Sequence, residues 1–334
     1  MSSETRPDDP FIVCENLVKI HKIDEIEVVA LQGLDLTVDR GEMMAIIGPS
    51  GSGKSSLLNV LGGLDAPSAG KAIVSGVDLI RLSDSDRITY RRTMVGFVWQ
   101  NVSRNLVPYL TALENVQLPM ILDGKNNRER ARELLQIVGL EKRMSHRPAR
   151  MSGGEQQRVA VAIALANEPS VLLADEPTGS LDGENATRLL RVLDDVRKSL
   201  GVTVIIVTHD RSMARTVGRY VEIRDGKTSS EAVRISDELL SSGPSAGHAT
   251  LDSLVATADS EDTDDAEHGD GSARTEFSEP ESHDHYVLLD SAGRLQIPPE
   301  IRDAYGITRR VRLVDEGERI VIYAPDEKKN GKPK

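Results

Sequence analysis

Cysteine and long apolar runs are both scarce in this chain. A single cysteine, Cys14, occurs in 334 residues, so no intramolecular disulfide can form and a reducing compartment is expected. The longest apolar runs, 202–207 and 171–174, fall far short of the roughly 20 residues that span a bilayer. Residues 1–10 carry no charged-then-apolar signal segment and are expected to form a disordered N-terminus. These absences predict a cytoplasmic protein that does not cross a membrane by itself.

Acidic residues are distributed unevenly along the chain. The net charge is −12, but residues 259–284 alone hold eleven Asp and Glu against one Arg. A stretch so acidic and so poor in large apolar residues cannot bury enough surface to offset the entropy of ordering. We therefore predict a disordered linker over 236–285. The alternative is a metal-binding role for its acids and for His268, His283 and His285.

The apolar pattern predicts an α/β fold. The length of the chain favours two domains, and residues 11–38 are rich in alternating strand positions. Short apolar strands then alternate with helical patterns, which implies a parallel sheet buried on both faces. The predicted strands are 43–47, 71–77, 95–99, 171–174 and 202–207, and the predicted helices lie within 111–144, 152–166 and 184–200.

A glycine-rich loop follows the first of these apolar strands and precedes a helical pattern. That context separates a phosphate-binding loop from a chance match. Glycines let the backbone turn its N–H groups toward a phosphate, and the helix adds its positive N-terminal end. Lys54 is placed to reach the β- and γ-phosphates and the Ser55 hydroxyl to bind Mg²⁺. The nucleoside triphosphate site is predicted to comprise Gly48, Pro49, Ser50, Gly51, Ser52, Gly53, Lys54, Ser55 and Ser56.

Charged and polar residues close the other two apolar strands. Asp175 and Glu176 end the strand at 171–174. The first acid is placed to hold Mg²⁺ through water, and the second to polarise a water for attack on the γ-phosphate. His209 ends the strand at 202–207. Since a parallel sheet delivers its strand ends to one edge, we expect His209 at the same nucleotide site.

A motif at 151–158 identifies the family that these residues resemble. Its sequence is Met-Ser-Gly-Gly-Glu-Gln-Gln-Arg, and it lies some 20 residues before the acidic strand end. Together with Gln100, the acids at 175–176, and the segments 180–182 and 208–210, it is similar to the motif set of ABC-transporter ATP-binding subunits over residues 11–228. The resemblance implies a P-loop NTPase fold with a RecA-like core, an antiparallel β subdomain and a helical subdomain.

The resemblance also implies the role of each residue. Glu176 would be the catalytic base, His209 would contact the γ-phosphate, and Gln100 would touch Mg²⁺ and sense a membrane partner, with Lys54 completing the catalytic set. The signature residues would bind a nucleotide held by another protomer, and the segment 180–182 would join them there. The residues concerned are Ser152, Gly153, Gly154, Glu155 and Asp182.

One physical argument supports a dimer independently of the family. A helix that starts after Ser152 presents free N–H groups and a positive dipole end, which form an anion site. The chain has one phosphate loop and one signature. If the signature binds ATP across an interface, two copies must sandwich two ATP molecules between them. A homodimer is therefore expected.

Three further segments resemble one branch of the family, and two positions depart from it. Residues 61–65, 106–116 and 175–182 are similar to the lipoprotein-release and macrolide-export branch. Subunits of that branch pair with FtsX-like permeases, which would hold this chain on the inner face of the cell membrane. His21 stands where the family usually stacks an aromatic ring on adenine. Ile163 stands where an arginine is common, so an altered surface contact is expected.

Residues 286–325 resemble a second family. The run Gly-Arg-Leu-Gln-Ile-Pro at 293–298, then Ile-Arg at 301–302, is similar to the AbrB/MazE-type domain, a small β-rich fold built from two interleaved chains. Four strands are expected, at 286–290, 294–297, 311–314 and 320–323, with a helical turn over 299–305 and a basic disordered tail over 326–334. Forty residues form a poor core alone, which favours dimerisation.

DNA binding by this segment is the alternative. Five arginines could form a basic face, although residues 286–334 hold ten Lys and Arg against eight Asp and Glu and adjoin an acidic linker. Three functions therefore remain open: the ATPase motor of an ABC transporter, a soluble ABC ATPase acting on DNA or ribosomes, and an ATP-regulated transcription factor. The arginines are Arg294, Arg302, Arg309, Arg310 and Arg312.

Overall fold

The computed structural model describes residues 10–23 and 26–234, the strand backbones 283–287, 312–315 and 320–323, and the single positions 297, 302 and 305. Among these residues, no helix combines the length and apolarity that crossing a membrane requires. The strands are β1 (Ile12–Ile23), β2 (Ile26–Val38), β3 (Met43–Ile47), β4 (Ala69–Val74), β5 (Val77–Asp78), β6 (Val95–Val98), β7 (Val171–Asp175), β8 (Thr203–Val207), β9 (Arg219–Arg224), β10 (Lys227–Arg234), β11 (His283–Val287), β12 (Arg312–Asp315) and β13 (Ile320–Tyr323). The helices are α1 (Lys54–Leu61), α2 (Asp84–Met94), α3 (Ala112–Leu122), α4 (Arg128–Ile137), α5 (Gly153–Ala164), α6 (Gly183–Leu200) and α7 (Arg211–Ala214).

A seven-stranded sheet forms the centre of the described chain, in the order β11-β10-β9-β3-β8-β7-β6. The strands from β9 to β6 are mutually parallel, and β10 and β11 add an antiparallel edge. The predicted α/β fold is confirmed. The sequence-based prediction left out β9, β10 and α2, whose patterns are mixed with charged residues.

Both faces of this sheet are covered, which explains why its strands are continuously apolar. Side chains alternate between two apolar clusters: along β8, Val204 and Ile206 face one and Ile205 and Val207 face the other. The first cluster includes α3, α4, α5 and α6, and the second includes α1 and the hairpin of β1 and β2. Strands buried on both sides lose the polar alternation of a half-exposed sheet.

A second sheet is antiparallel, in the order β2-β1-β4-β5. The strand-rich opening of the chain is confirmed as β1 and β2. The single strand predicted over 71–77 is wrong, since β4 and β5 pair as a hairpin. Ser75 and Gly76 between them have φ values of 50° and 80°, the left-handed pair that a tight hairpin turn requires.

The continuous helical pattern predicted over 111–144 is two helices. Thr111 and Glu114 form a capping box at the start of α3, which satisfies two backbone N–H groups. The helix ends at Leu122, and Gly124 follows with φ 77°, a conformation that favours glycine after a helix. The chain then restarts with Asn127 as the N-cap of α4.

The C-terminal predictions fall mainly outside the described residues. Strand β11 begins at His283, three residues before the predicted start, and pairs with β10. It therefore takes three residues that composition had assigned to the linker. Strands β12 and β13 pair antiparallel, close to two of the predicted strands. The rest of the linker, the strand at 294–297, the helical turn at 299–305 and the tail lie outside the described residues, apart from the three single positions.

Candidate nucleotide site

Four neighbouring parallel strands end at one edge of the central sheet and deliver the predicted site residues there. In sheet order, β3 leads into the phosphate loop, β8 into His209, β7 into Glu176 and β6 into Gln100. These positions are far apart in the sequence, and only the strand order places them side by side. The carboxyl edge of a parallel sheet is where such folds bind their ligands.

The phosphate loop needs glycine at two positions. Gly48 has φ 151°, and a Cβ there would lie 2.2 Å from the carbonyl oxygen of Ile223. Gly53 has φ 103°, and its Cβ would lie 2.5 Å from the carbonyl oxygen of Ala30. Any side chain at either position would collide with backbone atoms, so this loop conformation requires glycine at both.

The loop contains several hydrogen-bond donors. Nζ of Lys54 donates to the carbonyl oxygens of Gly48 and Pro49, at 2.7 and 2.9 Å, and burial lowers the pKa of this amine. The hydroxyl of Ser52 is buried without a hydrogen-bond partner among the described residues. No side chain caps the N-terminus of α1 at Gly53. A buried orphan hydroxyl, an ammonium group and an uncapped helix end together suit a phosphate group.

Asp175 and Glu176, at the end of β7, lie in different environments. Burial raises the pKa of Asp175, and the neighbouring charge of Glu176 adds to the shift, while a hydrogen bond with Ser55 opposes it. Glu176 has φ 43°, an uncommon conformation for a side chain of this size. Its N–H donates to the carbonyl oxygen of Val207 at 2.8 Å, which ties the end of β7 to β8.

Two of the predicted site residues contact the same carboxylate oxygen. Oε2 of Glu176 lies 2.9 Å from Nδ1 of His209 and accepts a hydrogen bond from Nε2 of Gln100 at 3.3 Å. The ring of His209 is largely exposed, and the Glu176 side chain is mostly buried. A strand-end carboxylate oriented by an amide and an imidazole is a suitable base for a bound water.

The protein's own metal ligands at this edge would be few and would all be oxygen. Ser55 and Asp175 share a hydrogen bond, and Gln100 lies on the adjoining strand end. Among the described residues, no cluster of three or more His, Cys, Asp and Glu side chains is arranged to hold a metal. Mg²⁺ commonly takes one or two protein oxygens and completes its shell with phosphate and water, so the donor set fits that ion.

The signature motif forms a helix start away from the phosphate loop. Ser152 caps α5, with its hydroxyl accepting from the N–H of Glu155 while the Glu155 carboxylate accepts from the N–H of Ser152. Asp182 caps the neighbouring helix α6 and binds Asn185. A Cβ on Gly154 would lie 3.0 Å from the amide oxygen of Asn185. No hydrogen bond or ion pair within 10–23 and 26–234 joins the signature to the phosphate loop.

Comparison with known proteins agrees with these motifs. The ABC transporter family model matches residues 31–179. A lipoprotein-releasing system ATP-binding protein, LolD 2 of Caulobacter vibrioides, is 47% identical over 221 residues, which are 65% of this chain and 96% of that protein. The chain belongs to the ABC-transporter ATPase family. It is an ATP-binding, ATP-hydrolysing subunit that is similar to LolD 2.

Solved structures of ABC ATPases have the same fold. The cassette MJ0796, solved as a dimer in a post-hydrolysis state with ADP and Pi, is 40% identical, covers 66% of this chain and 97% of its own, and superposes with a TM-score of 0.59. The cbiO1 protein of Clostridium perfringens, part of the transporter complex cbiONQ, is 27% identical with a TM-score of 0.60, over 66% of this chain and 87% of its own.

Two departures from the family pattern are located by the structure. Nε2 of His21, on β1, lies 3.1 Å from the hydroxyl of Ser56 at the start of α1, so this ring stands beside the phosphate loop of the ABC ATPase. Ile163 is half buried and packs against the apolar core. The side chain is thus only partly covered by the core, and the altered surface contact expected at Ile163 stays a prediction.

No role was predicted from the sequence for two residues that lie beside Gln100. Trp99 directly precedes Gln100, and the guanidinium of Arg104 lies over its ring, 4.1 Å from the centroid. The chain has one tryptophan, and its place at a strand end beside Gln100 was the available signal. Arg104 carries no motif, and only the fold of the loop brings it back over the ring.

Proposed function

We propose that this ABC ATPase powers a separately encoded FtsX-like permease of the lipoprotein-release or export type. The relative LolD 2 supports the branch, and the convergence of His209 and Gln100 on one oxygen of Glu176 carries the ATPase chemistry. The permease would then bind and move the membrane substrate. The chain would sit on the inner face of the cell membrane through that partner.

The residues divide the hydrolysis reaction between them. The phosphate loop binds and orients the triphosphate, with Lys54 and the hydroxyl of Ser52 facing the phosphates. Glu176 accepts a proton from the attacking water, while His209 fixes the carboxylate and contacts the γ-phosphate. Ser55, Asp175 and Gln100 would hold Mg²⁺. An ion held by these residues would neutralise charge that develops on the phosphate oxygens.

The signature completes the site of a second copy. Ser152, Gly153 and Gly154 present the N-terminus of α5, with Glu155 and Asp182 fixing the helix starts around them. No hydrogen bond or ion pair among the described residues joins this surface to the chain's own phosphate loop. In a homodimer, the signature surface of each copy would bind the ATP held by the other copy. The similar cassette MJ0796 was solved as a dimer. ATP then stabilises the dimer, and hydrolysis releases it.

The domain boundaries at 235, 285 and 325 also belong to this proposal. The AbrB/MazE-like segment at 286–325 would pair two chains, and strands β12 and β13 supply one antiparallel hairpin of it. Because β11 pairs with β10, the linker returns to the ATPase sheet, and the part of the segment that would pair with a second chain is the part beyond β11. Pairing the tails would raise the effective concentration of the two ATPase domains.

A trapped variant tests the transporter function. Tagged Glu176→Gln protein, loaded with ATP, is captured from detergent-solubilised native membranes, and its partners are identified by mass spectrometry. A stoichiometric polytopic permease is the expected result, and it should be lost when Lys54→Ala removes ATP binding. Recovery of DNA or of non-membrane proteins alone would contradict the proposal.

A further inference from the structure

We infer that Arg104 is a positioning residue for hydrolysis, which stacks on Trp99 and thereby holds Gln100 in place to act on Glu176. This inference rests on the proposed role of Gln100 in the ATPase site. It assigns a function to a residue outside all of the motifs named above, in the loop that follows β6.

The loop from Trp99 to Asn105 folds back on itself. Asn101 accepts from the N–H and the hydroxyl of Ser103, at 3.0 and 2.8 Å, and the N–H of Arg104 donates to the carbonyl of Asn101 at 3.0 Å. The side chain of Asn105 accepts from the N–H of Trp99 at 3.4 Å. The return of the chain therefore places Arg104 over a ring five residues before it.

The ring of Trp99 has an aromatic and a cationic partner. It stacks on Phe97 with centroids 4.0 Å apart and planes inclined by 29°. The guanidinium of Arg104 lies over the same ring, 4.1 Å from its centroid. An arginine over a tryptophan face is the strongest of the common cation–aromatic pairs. Phe97 belongs to β6, so the stack fixes the end of that strand.

Fixing Trp99 fixes the residue after it. Gln100 is exposed, and its amide reaches Glu176 at 3.3 Å, a long hydrogen bond that small backbone shifts would break. Arg104 thus acts on Glu176 through Trp99 and Gln100, and its side chain is exposed, so its removal should leave the fold intact.

Steady-state ATPase assays on the full chain test this with Arg104→Gln, Trp99→Leu and the double variant. We expect Arg104→Gln to lower kcat about three- to fivefold, with KM for ATP within about twofold of wild type. In the Trp99→Leu background the same change should have less than half of that effect, because a shared contact makes the two losses non-additive. The matched control is Arg40→Gln, which removes an arginine 4.8 Å over the ring of Phe11 and should leave kcat unchanged.

Fluorescence gives a second readout, since Trp99 is the one tryptophan of the chain. Arg104→Gln should change its emission and reduce the response to Mg²⁺ and ATP, and Arg40→Gln should not. Unchanged kcat and emission in Arg104→Gln, or additive losses in the double variant, would overturn the inference. Gln100→Ala separates the role of Arg104 from the proposed role of Gln100. A reduced kcat in Gln100→Ala with an unchanged kcat in Arg104→Gln would overturn the role of Arg104 alone. An unchanged kcat in Gln100→Ala would overturn both roles.

Discussion

The imidazole of His209 and the carboxylate of Glu176 are joined through Nδ1 and Oε2 at 2.9 Å. This contact links the ends of two adjacent parallel strands, and the amide of Gln100 reaches the same oxygen from a third. His209 and Gln100, which are 33 and 76 positions from Glu176 in the sequence, therefore contact the same oxygen atom. The arrangement gives the ATPase a base whose orientation depends on two neighbours.

Replacing that base should separate hydrolysis from binding. Glu176→Gln keeps the shape of the side chain but cannot accept the proton from water, so we expect kcat to fall by about 100-fold or more. The affinity for ATP, measured by equilibrium dialysis, should stay within about threefold. Glu168→Gln, at an exposed position away from the site, is the control. Hydrolysis near the wild-type rate in Glu176→Gln would contradict the role.

The glycines of the phosphate loop should differ in their tolerance of a methyl group. Gly53→Ala places a Cβ 2.5 Å from the carbonyl oxygen of Ala30, whereas a Cβ on Gly51 meets nothing within 4 Å. Both have positive φ, at 79° for Gly51 and 103° for Gly53, so both substitutions carry a conformational cost and only Gly53→Ala adds a collision. We expect Gly53→Ala to weaken ATP binding at least tenfold more than Gly51→Ala. Equal losses would show that the collision is unimportant.

Two capping boxes allow the stability and the function of Ser152 to be separated. Thr111 with Glu114 and Ser152 with Glu155 make the same pair of hydrogen bonds. Ser152→Ala and Thr111→Ala should each cost about 1 kcal/mol of stability, as lost N-caps do, which denaturant titration measures. Only Ser152→Ala should also reduce ATP hydrolysis. A similar reduction in both variants would assign the effect of Ser152 to the helix alone.

The capping carboxylate at the signature should make stability depend on pH. The backbone N–H of Ser152 lowers the pKa of Glu155, against the opposing effect of burial, and Arg143 adds to the lowering. A lowered pKa stabilises the folded state above the unfolded value, about 4.3, and this gain is lost as the pH falls through the folded value. The difference in Tm between wild type and Glu155→Ala should therefore be constant from about pH 7 to 5.5 and shrink below about pH 4. A difference that grew on acidification would contradict this assignment.

Much of the site could be predicted from the sequence because its parts are local. The phosphate loop, the acids after β7 and the Ser152 cap each depend on a few adjacent residues whose backbone requirements are strict. The contact of Arg104 with Trp99 and the partial burial of Ile163 could not be predicted, since each depends on how a loop or a helix face packs. Likewise, β9 and β10 carry charged side chains that form ion pairs in the structure, such as Arg219 with Glu231, and these hide their strand pattern.

The most direct test of the shared ATP site is the mass of the ATPase portion with and without nucleotide. LolD 2 and MJ0796 consist almost wholly of the matched portion, so a chain ending at residue 235 should fold and exclude any pairing by the C-terminal segment. In analytical ultracentrifugation with Mg²⁺, the Glu176→Gln variant should be a monomer without ATP and a dimer with it. Adding Gly154→Asp, which puts a negative charge at the signature, should abolish the dimer while ATP binding persists. A monomer under all conditions, or a dimer that Gly154→Asp leaves unchanged, would contradict the claim that two copies hold ATP between them.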